Sequence, residues 1–515
     1  MAFGAGVIAM DTLTLLFHGT QAVFQPLNFL FLILGCVLGQ AIGVLPGIGS
    51  AAAIALLIPV TLNLSPTASV IMLAGIFYGT NYGGTITSVL MNTPGESASV
   101  VTAIDGYQMA KKGRGGPALG IAAIGSFIGG TVGTLGLAFG AQWFSDTALK
   151  IGASEYFALM IFAVALVTVL ATGSPVKALL MGVLGLLIGT IGIDPDLGIP
   201  RFTFGQIKLY DGINFIAIVI GFFGLGEILV NIERKVQDTI YTQVGSVLPN
   251  KQDLRDSAAP IARGTLIGFV LGIIPGATSA IASFLSYGVE VNRAKDPSRF
   301  GKGAIEGVAG PETANNSFVN ANFIPLFTLG IPGTASIAMI MSGMMSNGIV
   351  PGPFLFRDNP DFVWTVIASM LVGQAILLIF NLPMVRIWVL LLKIPYSILF
   401  VLILEFTLIG AYAVSYDTFN MYVMTISGFI GYLFKKMDFP ATPFVLTLVI
   451  GPLIEKNLRK SLEISSGEFS IFYQRPMTLI LLLGAAFTII WPIFKWFKMR
   501  LKNQKESSRS RNGGA

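Results

Sequence analysis

Runs of apolar residues long enough to cross a bilayer recur along almost the whole chain, separated by short polar loops. A spanning helix needs about 20 mostly apolar residues. Such runs lie at 66–92, 117–143, 154–172, 175–193 and 213–232, and again at 362–383, 396–414, 418–434, 440–456 and 477–497. Three further runs are interrupted: 28–62 at Pro46-Gly47, 261–287 at Pro275-Gly276, and 304–345 around Pro332. The pattern predicts an all-α, polytopic integral membrane protein with roughly 10–12 transmembrane segments, some of them discontinuous helices or re-entrant hairpins. Residues 11–25 read as an amphipathic helix lying in the membrane interface.

The interruptions come in the same order twice. Gly43-Val44-Leu45-Pro46-Gly47-Ile48-Gly49-Ser50 is followed by Asn92-Thr93-Pro94-Gly95. Gly272-Ile273-Ile274-Pro275-Gly276-Ala277-Thr278-Ser279 is followed by Gly330-Ile331-Pro332-Gly333. Two repeat halves are expected, inverted by analogy with other carriers built on broken helices. The division is then an N-terminal interfacial segment (1–27), a first membrane half (28–232), a polar cytoplasmic linker (233–262), and a second half with extra helices (263–500). Residues 501–515, rich in Ser, Arg and Gly, form a disordered cytoplasmic tail.

Composition narrows the class. Of 515 residues, 54% are hydrophobic and only 11% charged, against about 25% charged in soluble domains; the mean hydropathy is +0.77. One cysteine, Cys36, and one histidine, His18, exclude an internal disulfide, a thiolate metal site and a histidine metal cluster within the chain. The formal charge of +6 sits in a few loops and the tail, which speaks of topology and not of nucleic acid. Basic loops at Lys111, Lys112 and Arg114, at Arg234 and Lys235, and at Lys435 and Lys436, with the C-terminus, are read as cytoplasmic. The loops near 194–212 and 346–361 are read as external. Segment 261–287 has a basic residue at each flank, Arg263 at its start and Arg293 after it, so it is expected to enter and turn back at Pro275-Gly276. Residues 1–9 lack a basic stretch, so no cleavable secretory signal is apparent, and Met10-Asp11 reads as an alternative start.

Candidate chemistry gathers at the breaks. A broken helix in hydrocarbon frees N–H groups at one half-helix start and carbonyls at another half-helix end; the first attract anions, the second Na⁺. Neutral oxygens and amides cluster there: Thr80, Asn81, Thr85, Asn92 and Thr93 in the first half, Asn315, Asn316, Asn320, Asn322, Thr328 and Thr334 in the second. Such groups suit hard alkali cations and carboxylates. Glu96 follows Pro94-Gly95 and reads as a cation ligand, a proton carrier or a helix-start carboxylate. No Lys or Arg lies in either cluster, so an anion would rest on helix dipoles and amides. Gly125, Gly129 and Gly133 form a helix-packing ladder. There is no phosphate-binding loop, no His-Glu-x-x-His and no Gly-x-Ser-x-Gly. The chain is not expected to be an enzyme, and its energy source must be an ion gradient or another subunit.

Longer motifs carry a resemblance. Gly43-Val-Leu-Pro-Gly-Ile-Gly, Tyr78-Gly-Thr-Asn-Tyr-Gly-Gly-Thr-Ile-Thr-Ser-Val-Leu-Met-Asn-Thr-Pro-Gly-Glu and Asp105-Gly-Tyr-Gln-Met-Ala-Lys-Lys-Gly-Arg resemble the large membrane subunit of the tripartite tricarboxylate transporters. So do Phe300-Gly-Lys-Gly-Ala-Ile-Glu-Gly-Val-Ala-Gly-Pro-Glu-Thr-Ala-Asn-Asn and Thr328-Leu-Gly-Ile-Pro-Gly-Thr-Ala. The resemblance covers residues 10–500. It implies a secondary transporter of a bacterial inner membrane, multi-pass with its C-terminus in the cytoplasm. It also implies a small membrane subunit, a periplasmic solute-binding protein that delivers an organic carboxylate (citrate-like tricarboxylates or relatives), and Na⁺ or H⁺ as coupling ion, with no other cofactor. Carried over by motif, the site positions are Pro46, Gly47, Asn81, Asn92, Pro94, Gly95, Pro275, Gly276, Asn315, Asn316, Pro332 and Gly333. Gly49, Thr85, Thr93, Glu96, Thr278 and Thr334 complete the expected substrate and ion site. The alternatives are the large permease of a TRAP-like dicarboxylate carrier, and a membrane scaffold or channel.

Overall fold

Prolines and glycines set the ends of several helices. The computed structural model describes residues 2–45, 48–149, 151–171, 173–233, 245–392, 394, 396–414 and 416–491. Pro46, Gly47, linker residues 234–244 and the 501–515 tail lie outside the described residues.

The chain opens with α1 (Ala2–Val23), α2 (Pro26–Gly43), α3 (Ser50–Thr61), α4 (Pro66–Met91), α5 (Ser99–Lys111) and α6 (Gly115–Ala148). Next come α7 (Ala153–Leu170), α8 (Pro175–Gly189) and a small antiparallel hairpin of β1 (Gly192–Ile193) and β2 (Pro200–Arg201). α9 (Phe215–Val219) runs through a π-helical turn at Ile220–Leu225 into α10 (Gly226–Glu233). The second half contains α11 (Lys251–Ile273), α12 (Ser279–Arg293), α13 (Glu306–Ala321), α14 (Phe323–Leu329) and α15 (Ala335–Ser346). It ends with α16 (Leu355–Asp358), α17 (Pro360–Asn381), α18 (Val385–Leu391), α19 (Tyr396–Ala413), α20 (Thr418–Lys436), α21 (Ala441–Ile464) and α22 (Ile471–Gln474). The protein is an all-α polytopic membrane protein. Five described helical stretches are long and apolar enough to cross a bilayer: Pro26–Gly43, Gly115–Gly140, Ala153–Leu170, Phe215–Glu233 and Pro360–Asn381.

Packing divides the chain into two units that cut across the expected halves: Met1–Lys150 with Ile213–Lys436, and Ile151–Gly212 with Met437–Ala515. In the larger unit the order helix, break, helix, helix, break, helix occurs twice, as α2–α3–α4–α5 and as α11–α12–α13/α14–α15. Its centre is built from α4 and α13, which are buried nearly all round despite their polar residues. α4 starts at the Ser65 cap with Pro66 behind it, and stops where Asn92 takes a left-handed turn, φ 56°. Burying α13 is possible because α6 presents the glycine ladder to it. At Gly129 a methyl group would overlap the Thr313 carbonyl, and at Gly133 it would press on Ser317 and Asn320. α1 lies along α17: Gly19 packs on the backbone of Trp364, while Leu13 and Phe17 are exposed.

In the smaller unit, α7 and α8 pack on α21, with Gly185 against the backbone at Phe444. The β1–β2 hairpin is tied to α21 by ion pairs of Asp194 with Arg459 and of Arg201 with Glu455 (2.6 Å). Glu155 pairs with Arg475 at 3.1 Å, and an apolar helix covers Pro476–Trp491.

Candidate functional site: three helix starts and an asparagine-lined core

α11 and α12 are two arms of one hairpin. Arg263 and Glu290, at roughly equal distances from the break, form a half-buried ion pair, Arg263 Nε to Glu290 Oε1 at 2.8 Å, so the arms run antiparallel. The turn between them contains Pro275 and Gly276, whose φ of 88° only glycine adopts without strain. The Gly276 N–H donates to the Gly333 carbonyl at 3.1 Å, joining this break to the one at 330–334.

That second break opens where α14 ends at Gly330, φ 65°, and Thr334 starts α15. Thr334 and Thr278 do the same local work. Each accepts from the N–H three residues on (Ile337 and Ile281, both 3.4 Å) and caps its helix start. α3 has Gly49 at its cap and therefore no side chain of its own for that purpose. Glu96 supplies the group instead: the Ser50 N–H donates to Glu96 Oε1 at 2.7 Å. Gly95 makes this reach possible, because a side chain there would overlap the backbone at Gly84 and Gly43. The Ser50 and Ser336 hydroxyls are 3.0 Å apart. The starts of α3 and α15 thus touch, and the leads into α15 and α12 are hydrogen-bonded. Three helix starts drawn from both repeats converge, each carrying the partial positive charge of unpaired N–H groups.

Beside them lies the polar interior of α4 and α13. Glu312 accepts from Thr85 (2.7 Å) and Thr102 (2.5 Å), joining α13 to α4 and α5. Asn316 donates to Ser126 at 2.7 Å, and Asn320 shares a chain with Gln374 and Tyr82 (3.2 and 2.9 Å). Four buried carboxamide oxygens have no donor among the described residues: those of Asn81, Asn315, Asn316 and Asn322. An unpaired buried acceptor costs about 1–3 kcal/mol. Asn322 is the most telling. Its amide donates to the last-turn carbonyl of Gly272 at 3.1 Å, and its carboxamide lies flat against Gly333, so its free oxygen sits beside two breaks. Exchanging its O and N would set oxygen against oxygen at Gly272 and still leave the other atom unpaired. Neither Glu96 nor Glu312 has a cationic side-chain partner among the described residues.

The expected site residues therefore separate. Glu96, Gly49, Gly95, Pro275, Gly276, Thr278, Pro332, Gly333 and Thr334 belong to the helix starts; Asn81, Thr85, Asn315 and Asn316 line the core. Pro46 and Gly47 fall outside the described residues. Asn92 is exposed and ends α4, and the Thr93 hydroxyl turns back to the Met91 carbonyl at 3.3 Å; both shape the chain between α4 and Glu96. Ser50, Thr102, Ser126 and Gln374 were not among the expected positions. Gln374 had one visible signal, an amide inside an apolar span. The serines had none, since their meaning depends on which helices meet.

A polytopic helical membrane protein whose broken helices bring their starts together beside a polar core is the class defined so far. The family model described as "Tripartite tricarboxylate transporter TctA family" matches residues 29–446, and the chain belongs to this family. It is similar to an "Uncharacterized 52.8 kDa protein in TAR-I ttuC' 3'region" of Agrobacterium vitis, 46% identical over 93% of this chain and 96% of that one. It is also 43% identical to an "Uncharacterized protein in TAR-II ttuC' 3'region" of the same organism, over 42% of this chain and 89% of that one. No solved structure matches.

Proposed function

We propose that this chain is the carrier subunit that imports tricarboxylates or related organic carboxylates across a bacterial inner membrane. Substrate comes from a periplasmic solute-binding protein, a small membrane subunit assists, and an ion gradient drives the step. Family membership makes the chain a membrane component of a tricarboxylate transporter. The finer reading is carried by one observation: the convergence of the α3, α12 and α15 starts. One of them already holds a carboxylate, that of Glu96, and this supports a place suited to carboxylates. A substrate bearing several carboxylates meets the remaining N–H groups without needing an arginine.

The coupling ion follows from the same chemistry. A carboxamide oxygen does not take up a proton near neutral pH, whereas an alkali cation satisfies it directly. The free oxygens of Asn81, Asn315, Asn316 and Asn322 favour Na⁺ over H⁺. Neutral ligands of this kind also disfavour divalent ions, whose sites recruit carboxylates.

The test is uptake of radiolabelled citrate into proteoliposomes containing the chain, its small subunit and the binding protein, with each gradient imposed in turn. Asn81→Ala and Asn316→Ala should each lower uptake by about tenfold or more, equivalent to ~1.4 kcal/mol, while the protein still inserts. Wild-type rates from both variants would overturn the assignment.

A further inference from the structure

Glu405 stands in a place that the transport reading does not explain. It lies midway along α19, in the apolar run Ser397-Ile-Leu-Phe-Val-Leu-Ile-Leu-Glu-Phe-Thr-Leu-Ile-Gly-Ala, and it is exposed. Its surroundings on that face are not those of an aqueous vestibule. Ile398, Leu402, Ile409 and Tyr412 are all more than 40% exposed. The neighbouring α20 adds exposed Tyr422, Ile426, Phe429 and Leu433. This is a surface made for hydrocarbon, with one carboxylate at its centre. Among the described residues Glu405 has no ion-pair partner.

Spacing adds a second observation. Ile398, Leu402, Glu405, Ile409 and Tyr412 follow one another at intervals of four, three, four and three residues. That is the seam of a helix that packs lengthwise against another helix. α19 meets α3 and the π-helical turn on a different side, through Ile403, Thr407 and Gly410, so the seam is not the one already used against them. A carboxylate facing lipid at mid-span is among the least favourable placements a membrane helix has, and such residues almost always face protein. A second copy of this chain, packed on the same face about a two-fold axis, would set Glu405 against Glu405. Charge complementarity selects a different occupant.

We propose that the α19 seam is the docking surface for a transmembrane helix of the small membrane subunit. That helix carries a lysine or arginine level with Glu405. The inference rests on the partner assigned above, but not on the substrate or ion site. The pairing would hold the two chains in one register, as single polar residues do in apolar helix seams.

Co-expression of the full chain with its small subunit, followed by affinity capture through a tag on the full chain, tests this. Glu405→Lys should lower recovery of the small subunit at least about tenfold. Glu405→Leu guards against misfolding, because leucine suits the lipid face; it should give a monodisperse chain of unchanged thermal stability that also loses the partner. Recovery should return when Glu405→Lys is combined with a basic-to-glutamate exchange in the partner helix. Wild-type recovery by both single variants overturns the seam and leaves the transport reading standing. If the wild-type chain recovers no small subunit, both the seam and the assigned partner fall. Disulfide-linked dimers of Ile409→Cys with itself would identify a second copy as occupant and overturn the proposal.

Discussion

Replacing Asp105 by alanine removes one carboxylate and strands three donors. Asp105 is fully buried on α5, within the Asp-Gly-Tyr-Gln-Met motif. Its Oδ1 accepts the Gly303 and Ala304 N–H groups at 2.7 and 2.8 Å, and its Oδ2 accepts the Tyr287 hydroxyl at 2.9 Å. This single side chain therefore fastens the first repeat to α12 and to the segment that leads into α13, the helix carrying the asparagines. An unsatisfied buried donor costs about 1–3 kcal/mol, with less for a group that can reach water. Ala304 is buried while Gly303 and Tyr287 are half-buried, so alanine should cost about 3–6 kcal/mol, a large share of a typical folding free energy of about 5–15 kcal/mol. Asp105→Asn keeps the oxygen that faces the two N–H groups, and its amide can donate to Tyr287; it loses charge assistance only, about 1–2 kcal/mol. Tyr287→Phe removes one donor together with its need and should be the mildest. Thermal unfolding of the full chain in nanodiscs should rank wild type, Tyr287→Phe, Asp105→Asn and Asp105→Ala in falling order. Trypsin should also cut at the exposed Lys302 faster in the alanine variant. An alanine variant as stable as wild type, with unchanged cleavage, would refute the reasoning.

Two further outcomes can be checked directly. Glu96→Ala removes the side-chain acceptor that the Ser50 N–H meets at the start of α3 and should lower stability by about 1–2 kcal/mol, the usual size of a helix-cap loss; Glu96→Gln, which keeps the acceptor, should recover most of it, and equal melting temperatures for both would contradict the capping role. In the smaller unit, the N–H groups of Leu197 and Asp196 and the adjacent Arg459 hold the Asp194 carboxyl below the usual carboxylate range. A carboxyl depressed in the folded state stabilises above its unfolded pKa of about 3.9, and that contribution fades as pH falls below it. Asp194→Asn should thus lower the melting temperature more at pH 7 than near pH 3, where the contribution is already fading, whereas an equal drop at both would rule this out.

Much of the architecture was legible in the chain because hydrocarbon is an exacting solvent. Every apolar run predicted a helix, and the breaks at Pro275-Gly276 and Pro332 appear where proline and glycine forbid a continuing backbone ladder. The basic flanks of 261–287 pointed to a hairpin, and the Arg263–Glu290 pair shows its two arms side by side. The ladder Gly125, Gly129, Gly133 marked a close helix contact, though not that its partner would be α13. Asn92 and Thr93 were less readable, since a polar residue beside a break can cap a helix as easily as hold a ligand.

Sequence by itself determined the membrane class, the doubled order of breaks, the residue types around them and the family. These depend on local rules: transfer of side chains into lipid, and backbone groups that need partners within a few residues. Tertiary structure alone decided which helix starts meet. It set the Glu96 carboxylate on the start of α3, left Asn81, Asn315, Asn316 and Asn322 with oxygens that meet no donor among the described residues, and showed that Glu405 faces outward. Contacts such as Ser50 with Ser336 span nearly three hundred residues, and no local pattern encodes which of many serines will lie at that crossing.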